Sequence, residues 1–507
     1  MTRASISAPE RFWLHARTDR LTMIAASAAF VIGHPLHSLY VSNQNTKFLH
    51  GLALAFPERL ASDWTATTTD GLPVFSGLVY LVARAATPAA FYGLELALQF
   101  IVALSLISIL RLAAGNPLGR LGGLVGAAMV VALTWEGAQT YLQGVAGQYI
   151  TLGYLQPASF GALFLLALGL AQRGHAAAVL LAAIPAALHA AYIAPAILLT
   201  GLFLWDQRRR PLCQMLPLAT LAAIALAAPP LDLVLRFHSN DPEMFQQANA
   251  ILAFTRIPHH SLPEIWFNTN AMIKTGLVVA AIALAPAGVV RKSLVVLFGF
   301  AALGTLTAVV SKDPGLALIA PWRVSIILVP AASAVLGGVM LRRLNQLSHA
   351  RLLLWGAMLP VTVIALLAMG EGAEQKIGLF FPKPPADHIA FVQRTARTQD
   401  VYLTSPDDSR FRLAAMAAQF VSWKTHPYLA TEVLEWNRRI GMASAVFGTQ
   451  NKKSAAMDCA ALTRLLDQYP VTHVVLPPAA KDSGTLCPGL SLVFDGQDGA
   501  VARVDTR

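Results

Sequence analysis

Apolar positions along this 507-residue chain come first in long unbroken runs and only later in short alternating ones. A helix needs about 20 mostly apolar residues to cross a bilayer core. Runs of that kind occupy residues 21–41, 91–110, 118–135, 157–171, 216–235, 271–290, 293–310, 316–341 and 352–369. The apolar stretch 175–205 is too long for one helix and is bounded by Arg173 on one side and Arg208, Arg209 and Arg210 on the other. Two short helices turning near His189, between Pro185 and Pro195, leave both basic ends on one face. Proline interrupts the helical ladder, and broken helices are tolerated at membrane depth where protein or a water-filled cavity surrounds them. The pattern therefore predicts about eleven segments, an odd number, which puts the tail on the opposite face from the N-terminus.

Beyond the last run the period changes. Residues 374–385, ending in Phe380-Phe381-Pro382-Lys383-Pro384-Pro385, read as a stiff proline-rich connector. Residues 386–507 then predict helices over 387–397, 428–447 and 460–469 and strands over 400–404, 419–423, 471–476, 490–494 and 501–504. Such mixing favours a small α/β layer. The expected fold class is an α-helical polytopic membrane protein, with residues 1–373 as its transmembrane domain and 42–73 as its first outer loop, followed by a C-terminal soluble α/β domain. No phosphate-cradling glycine motif follows a strand, so nucleotide binding has no support.

Composition agrees with this division. Charged residues make up 13% and hydrophobic ones 55%, against about 25% charged in soluble domains. The first 373 residues hold 23 Lys/Arg and 14 Asp/Glu, the last 134 hold 15 and 13. Most of the net charge of +11 thus belongs to the membrane half, which excludes a nucleic-acid partner. Fifteen Lys/Arg (Arg3, Arg11, Arg17, Arg20, Arg111, Arg120, Arg173, Arg208 to Arg210, Arg291, Lys292, Arg342, Arg343 and Arg351) fall on one face against Glu10, Asp19 and Asp206. The positive-inside rule makes that face cytoplasmic. The expected location is a bacterial inner membrane, with the N-terminus cytoplasmic, the first span kept as an anchor, and the tail periplasmic or extracytoplasmic. There Cys459 and Cys487 would meet an oxidising compartment, as a disulfide or as two buried thiols.

Chemistry should gather on the outer face. In the first outer loop, Asp63 beside Trp64 would serve as a general base for an acceptor hydroxyl or as a ligand to a divalent cation, with Trp64 at headgroup level; the plain alternative is a helix cap or an ion pair with Arg59. Asp70 is a weaker candidate of the same kind. In the loop 237–270, Arg256-Ile257-Pro258-His259-His260 offers phosphate binding or acid/base work; adjacent histidines diverge, which disfavours metal ligation. Lys312, Arg323, Glu136, His189 and Tyr192 complete the outer set. Arg323 needs an anion or a carbonyl, supplied by Asp313, Glu136 or a lipid phosphate. In the tail, Arg410, Arg412, Trp423, Lys424, His426, Trp436, Arg438 and Arg439 form a polar cluster that reads as a solvated or interdomain face, or else as a lid or a glycan-binding surface.

The strings Ser42-Asn43-Gln44-Asn45, Asp63-Trp64, Gln156-Pro157, Leu188-His189-Ala190-Ala191-Tyr192, Arg256-Ile257-Pro258-His259-His260, Pro321-Trp322-Arg323, Phe411-Arg412-Leu413 and Trp423-Lys424-Thr425-His426-Pro427 are similar to a group of uncharacterised bacterial polytopic membrane proteins. The architecture resembles the GT-C superfamily of integral-membrane glycosyltransferases. That resemblance implies transfer of a sugar from a polyprenyl-phosphate donor to a glycan, lipid or protein acceptor, with Asp63 as the loop acid and Arg256, Lys312 or Arg323 on the lipid phosphate. The paired Asp-Glu of many members is absent here, so a divalent cation stays an open question. Two other functions compete: a lipid-linked glycan transporter, and a noncatalytic assembly factor or sensor that uses the tail to bind glycan.

Overall fold

The computed structural model describes residues 8–115, 119–381, 384–449, 452–453, 457–476 and 486–505. Arg3 and the Pro382-Lys383 part of the connector lie outside them, as do the side chains of Arg11 and Arg17. The chain divides into two compact units, one of Met1–His37, Tyr92–Pro230 and His259–Phe380, the other of Ser38–Phe91, Leu231–Pro258 and Phe381–Arg507.

The first unit is helical. Among the described residues of the whole chain, helices Ala89–Ala114, Leu212–Phe237, Val289–Ser311, Pro314–Asn345 and Ala350–Phe380 are long and apolar enough to cross a membrane, and six further apolar helices are shorter. The chain is a multi-pass membrane protein; among the described residues five helices have full spanning length against the eleven segments expected, some runs being broken and others forming shorter helices. The run 175–205 forms Ala177–Leu188 and Ile193–Asp206. His189 stops the first of these and caps the short turn Ala190–Tyr192, its Nδ1 accepting from the Ala191 amide at 3.4 Å. The run 316–341 is interrupted at Ala320, which adopts φ 47° before Pro321. The first run is shorter than its apolar stretch: helix Ala8–Gly33 stops two residues before Pro35, and residues 34–41 continue as loop.

The expected connector also changes. Helix Ala350–Phe380 runs on through residues 374–380, because this turn is fastened. Gly372 lies so close to helix Ala8–Gly33 that a Cβ there would sit 2.2 Å from the Ile32 carbonyl oxygen. One turn later Lys376 donates to the carbonyls of Ile32, at 2.9 Å, and of His34.

The second unit holds a five-stranded sheet in the order Ala418–Gln419, Val401–Leu403, His473–Leu476, Ala500–Val504, Leu490–Asp495. The first three strands run parallel and the last two pairings are antiparallel. Alternate side chains serve opposite faces, as the pleat requires. Leu403, Val474 and Leu476 pack on Trp436, Ile440 and Leu465, while Tyr402, Val475 and Val501 pack on Ile389, Val392 and Phe411. Cys459 and Cys487 form a disulfide. Each strand and helix expected beyond residue 386 is present within a few residues. The tail is not a separate body, however, since the first outer loop and residues 231–258 fall in the same unit.

Candidate functional site

Asp63 is placed by the loop it starts. It N-caps the turn Trp64–Thr67, with Oδ1 accepting from the Ala66 amide at 3.1 Å. Oδ2 accepts from Arg412 Nε at 2.6 Å and from the Gln419 amide at 2.9 Å, and both side chains of the ion pair are 0% exposed. The structure thus gives Asp63 a cap and a buried ion pair in place of an open base. Its partner is not Arg59, which donates to the carbonyls of Gln393, Ala396, Ala415 and Met416. Trp64 is not free at a headgroup level either: Arg439 lies 4.1 Å over its ring, and it packs on the core of the sheet. Much of the tail's polar cluster proves to be interior, with Arg412, Trp436 and His426 all buried.

Three of the sequence strings meet in this unit. Thr46 donates to the Lys424 carbonyl at 2.7 Å, Thr425 to the Asn45 carbonyl at 3.0 Å, and Arg256 Nη2 to the Lys424 carbonyl at 2.7 Å. Lys47 Nζ donates to the Tyr428 hydroxyl at 2.6 Å. A cavity opens beside them, lined by Thr46, Lys47, His50, Asp70, His426 and Tyr428. Gly71 belongs to its wall and must be glycine, because a Cβ would fall 2.8 Å from the Tyr428 ring.

Basic groups in and behind this cavity act on one another. Burial, then the charges of Arg256 and Lys47, pushes Lys424 down to about 8. His426 is held well below its ordinary range by burial and by Arg256, Lys47 and Lys424, so it is neutral at pH 7. Arg256 is destabilised as a cation by burial, and its Nε has no partner among the described residues. Three cations drawn together around a neutral imidazole suit an oxyanion. At the edge of the same cavity Asp70 Oδ1 accepts from the Leu72 amide at 2.8 Å and lies 3.7 Å from His50 Nδ1. The Asp70 carbonyl accepts from Arg236 at 2.8 Å.

The other candidates belong to the first unit. His259 is exposed, and His260 Nδ1 stands 2.8 Å from Gln148 Nε2. Lys312 is exposed at the left-handed end of helix Val289–Ser311. Asp313 caps the next turn, with Oδ1 on the Leu316 amide at 2.7 Å, and Glu136 is exposed. Arg323 is half-buried and within electrostatic reach of Tyr192. The Tyr192 hydroxyl donates to the Ala158 carbonyl at 2.6 Å, a structural bond. Among the described residues no group of three His, Cys, Asp or Glu is arranged to hold a metal ion.

Sequence reasoning missed Lys47, His50, Glu95 and Lys274. Glu95 and Lys274 were visible as charges inside apolar runs, which is itself a signal; Lys47 and His50 carry none until Tyr428 and Asp70 are beside them.

Residues 386–443 match a family described as a domain of unknown function (DUF6798). No curated protein matches the chain. Among solved structures, it is similar to the crystal structure of ArnT from Cupriavidus metallidurans bound to undecaprenyl phosphate. Identity is 14%, coverage is 99% of this chain and 100% of that one, and the TM-score is 0.37.

Proposed function

We propose that the chain is a GT-C-like membrane glycosyltransferase that moves a sugar from a polyprenyl-phosphate donor to an extracytoplasmic acceptor. The observation that carries this reading is the group of Lys47, Arg256 and Lys424 around His426, of which Lys47 and His426 line the cavity and the other two stand behind it. Charge on the leaving phosphate grows as the bond from the anomeric carbon to the phosphate oxygen breaks, and fixed cations in a water-poor site help most there. As the acceptor oxygen bonds to that carbon, its proton passes to a base. Asp70, with His50 behind it, is the carboxylate at this cavity and takes that role in preference to Asp63. Asp63 positions the loop through Arg412. Arg323, Lys312, His259 and His260, which belong to the first unit, are assigned no step.

The test is turnover of purified protein on polyprenyl-phosphate sugars, read by lipid mass spectrometry. Wild type should consume donor. Lys424→Ala and Arg256→Ala should each lower turnover by about tenfold or more, the worth of one charge-assisted hydrogen bond, and Asp70→Asn should abolish it while donor binding persists. Binding without turnover in wild type would move the function to a glycan-binding factor or a lipid-linked glycan transporter.

A further inference from the structure

Glu95 lies in helix Ala89–Ala114, in the first unit, and is 0% exposed. Gln99, one turn later and also 0% exposed, faces the same way. The Gln99 amide nitrogen donates to the Pro35 carbonyl at 3.1 Å and to Glu95 Oε1 at 3.4 Å. Both of its N–H groups are thereby used, which fixes the orientation of the amide. Two acceptors remain without any partner among the described residues, Glu95 Oε2 and Gln99 Oε1. An unpartnered polar atom in an apolar interior is costly, and an ionised carboxylate there far more so. The Ser159 side chain and the Gly153 backbone also act on Glu95, but they are neutral and leave Oε2 and Gln99 Oε1 without a donor.

The geometry points to a bound proton: Glu95 is a neutral carboxylic acid whose Oε2–H donates to Gln99 Oε1, closing a ring with the Gln99 N–H on Glu95 Oε1. A single hydrogen satisfies both orphaned acceptors and removes the charge. The surrounding titratable groups are otherwise engaged. Lys376 donates to the carbonyls of Ile32, His34 and Gly372. His34 stands 3.2 Å from the Thr151 hydroxyl through Nε2 and 3.2 Å from the Pro35 carbonyl through Nδ1. His37 Nδ1 faces the Gln375 amide nitrogen at 3.3 Å. Among the described residues none of the three forms an ion pair with Glu95 and none of their charges acts on it, so no cation is in place to hold it ionised. The site stores a proton at the level of an apolar helix, releasable only when the Glu95–Gln99 ring opens. A small monovalent cation is the rival occupant, since it too would bind two oxygens.

Infrared spectroscopy of the purified full chain tests this, with the wild-type spectrum at pH 7 taken against Glu95→Gln. Glutamine can form the same two hydrogen bonds, so this variant should fold and keep its Tm within a few degrees. The difference spectrum should contain the carbonyl band of a hydrogen-bonded carboxylic acid, shifted in deuterated water; carboxylate bands in its place overturn the proposal. Gln99→Leu should move the acid band to that of a free acid, and an unmoved band would break the pairing. The Tm of wild type should be the same in sodium chloride and choline chloride. A sodium-dependent rise that Glu95→Gln abolishes would assign the site to a cation instead.

Discussion

Asp63 and Glu95 are both completely buried carboxyl groups, yet their surroundings treat them in opposite ways. Asp63 is given the Arg412 guanidinium at 2.6 Å and two backbone amides, at Ala66 and Gln419. Those donors complete an ionised carboxylate. Glu95 has only neutral neighbours, Gln99, the Ser159 side chain and the Gly153 backbone, with Oε2 left unpartnered and no cation beside it, and the cheaper solution there is a proton. Burial alone does not decide what a carboxyl group does; the donors that tertiary contacts bring to it do. The consequence reaches function, because the conspicuous acid of the first outer loop becomes a structural fastening, and the cavity nearby is left to Asp70.

The largest effect expected from breaking this comparison is at Arg412. Arg412→Ala leaves Asp63 buried without its counter-charge and should cost about 3–5 kcal/mol, read from denaturant unfolding. Adding Asp63→Asn to it should recover part of the loss, and equal stability of the single and double variants would show that the ion pair is not what holds the loop. The disulfide comes next. It closes a loop between positions 28 residues apart, and Cys459→Ser should lower stability by about 3–4 kcal/mol by the loop-entropy relation. A mass increase on reduction and alkylation, matching two thiols, checks the bond itself.

A smaller effect sharpens the contrast between fixed charge and function. Lys424 is depressed to about 8 in the folded chain, against about 10.4 unfolded. Between those values the unfolded chain carries the proton and the folded one does not, so stability from this group rises with pH across about 8 to 10.4 and is lowest below 8. Lys424→Met should therefore raise Tm at pH 7 and flatten its rise above pH 8. The same variant should lose stabilisation by added inorganic phosphate, which in wild type should be greater at pH 7 than at pH 10. A wild-type Tm that falls between pH 8 and 10 while the variant's does not would reverse the assignment.

Much of the fold was legible in the chain because it rests on local physics. Each apolar run became a helix or a broken pair, and the alternation after residue 386 marked the strands. The turn at His189 followed from Pro185, Pro195 and basic residues at both ends. Less legible was the extent of single helices. Helix Ala350–Phe380 continues past its apolar run because Gly372 and Lys376 are fastened to Ile32 and His34, contacts that cross 344 and 342 positions of sequence.

The candidate site divides in the same way. Arg256, Asp70 and Lys424 stood out as residue types, and the disulfide cysteines as one of two open possibilities. For Asp63 the sequence left a base, a cation ligand, a helix cap and an ion pair with Arg59 open; the cap is what forms, and the ion pair has another partner. Its partner lies 349 residues away, in a stretch, Phe411-Arg412-Leu413, that reads as an amphipathic turn. The sequence by itself determined which segments are helix or strand and which residues carry charge, since period, proline and side-chain chemistry are local properties. Only the tertiary structure decided which charges are paired, which are gathered unpaired around a cavity and which are left with one hydrogen too few. Electrostatic and hydrogen-bond energies depend on distances through space, and no distance of that kind is written along the chain.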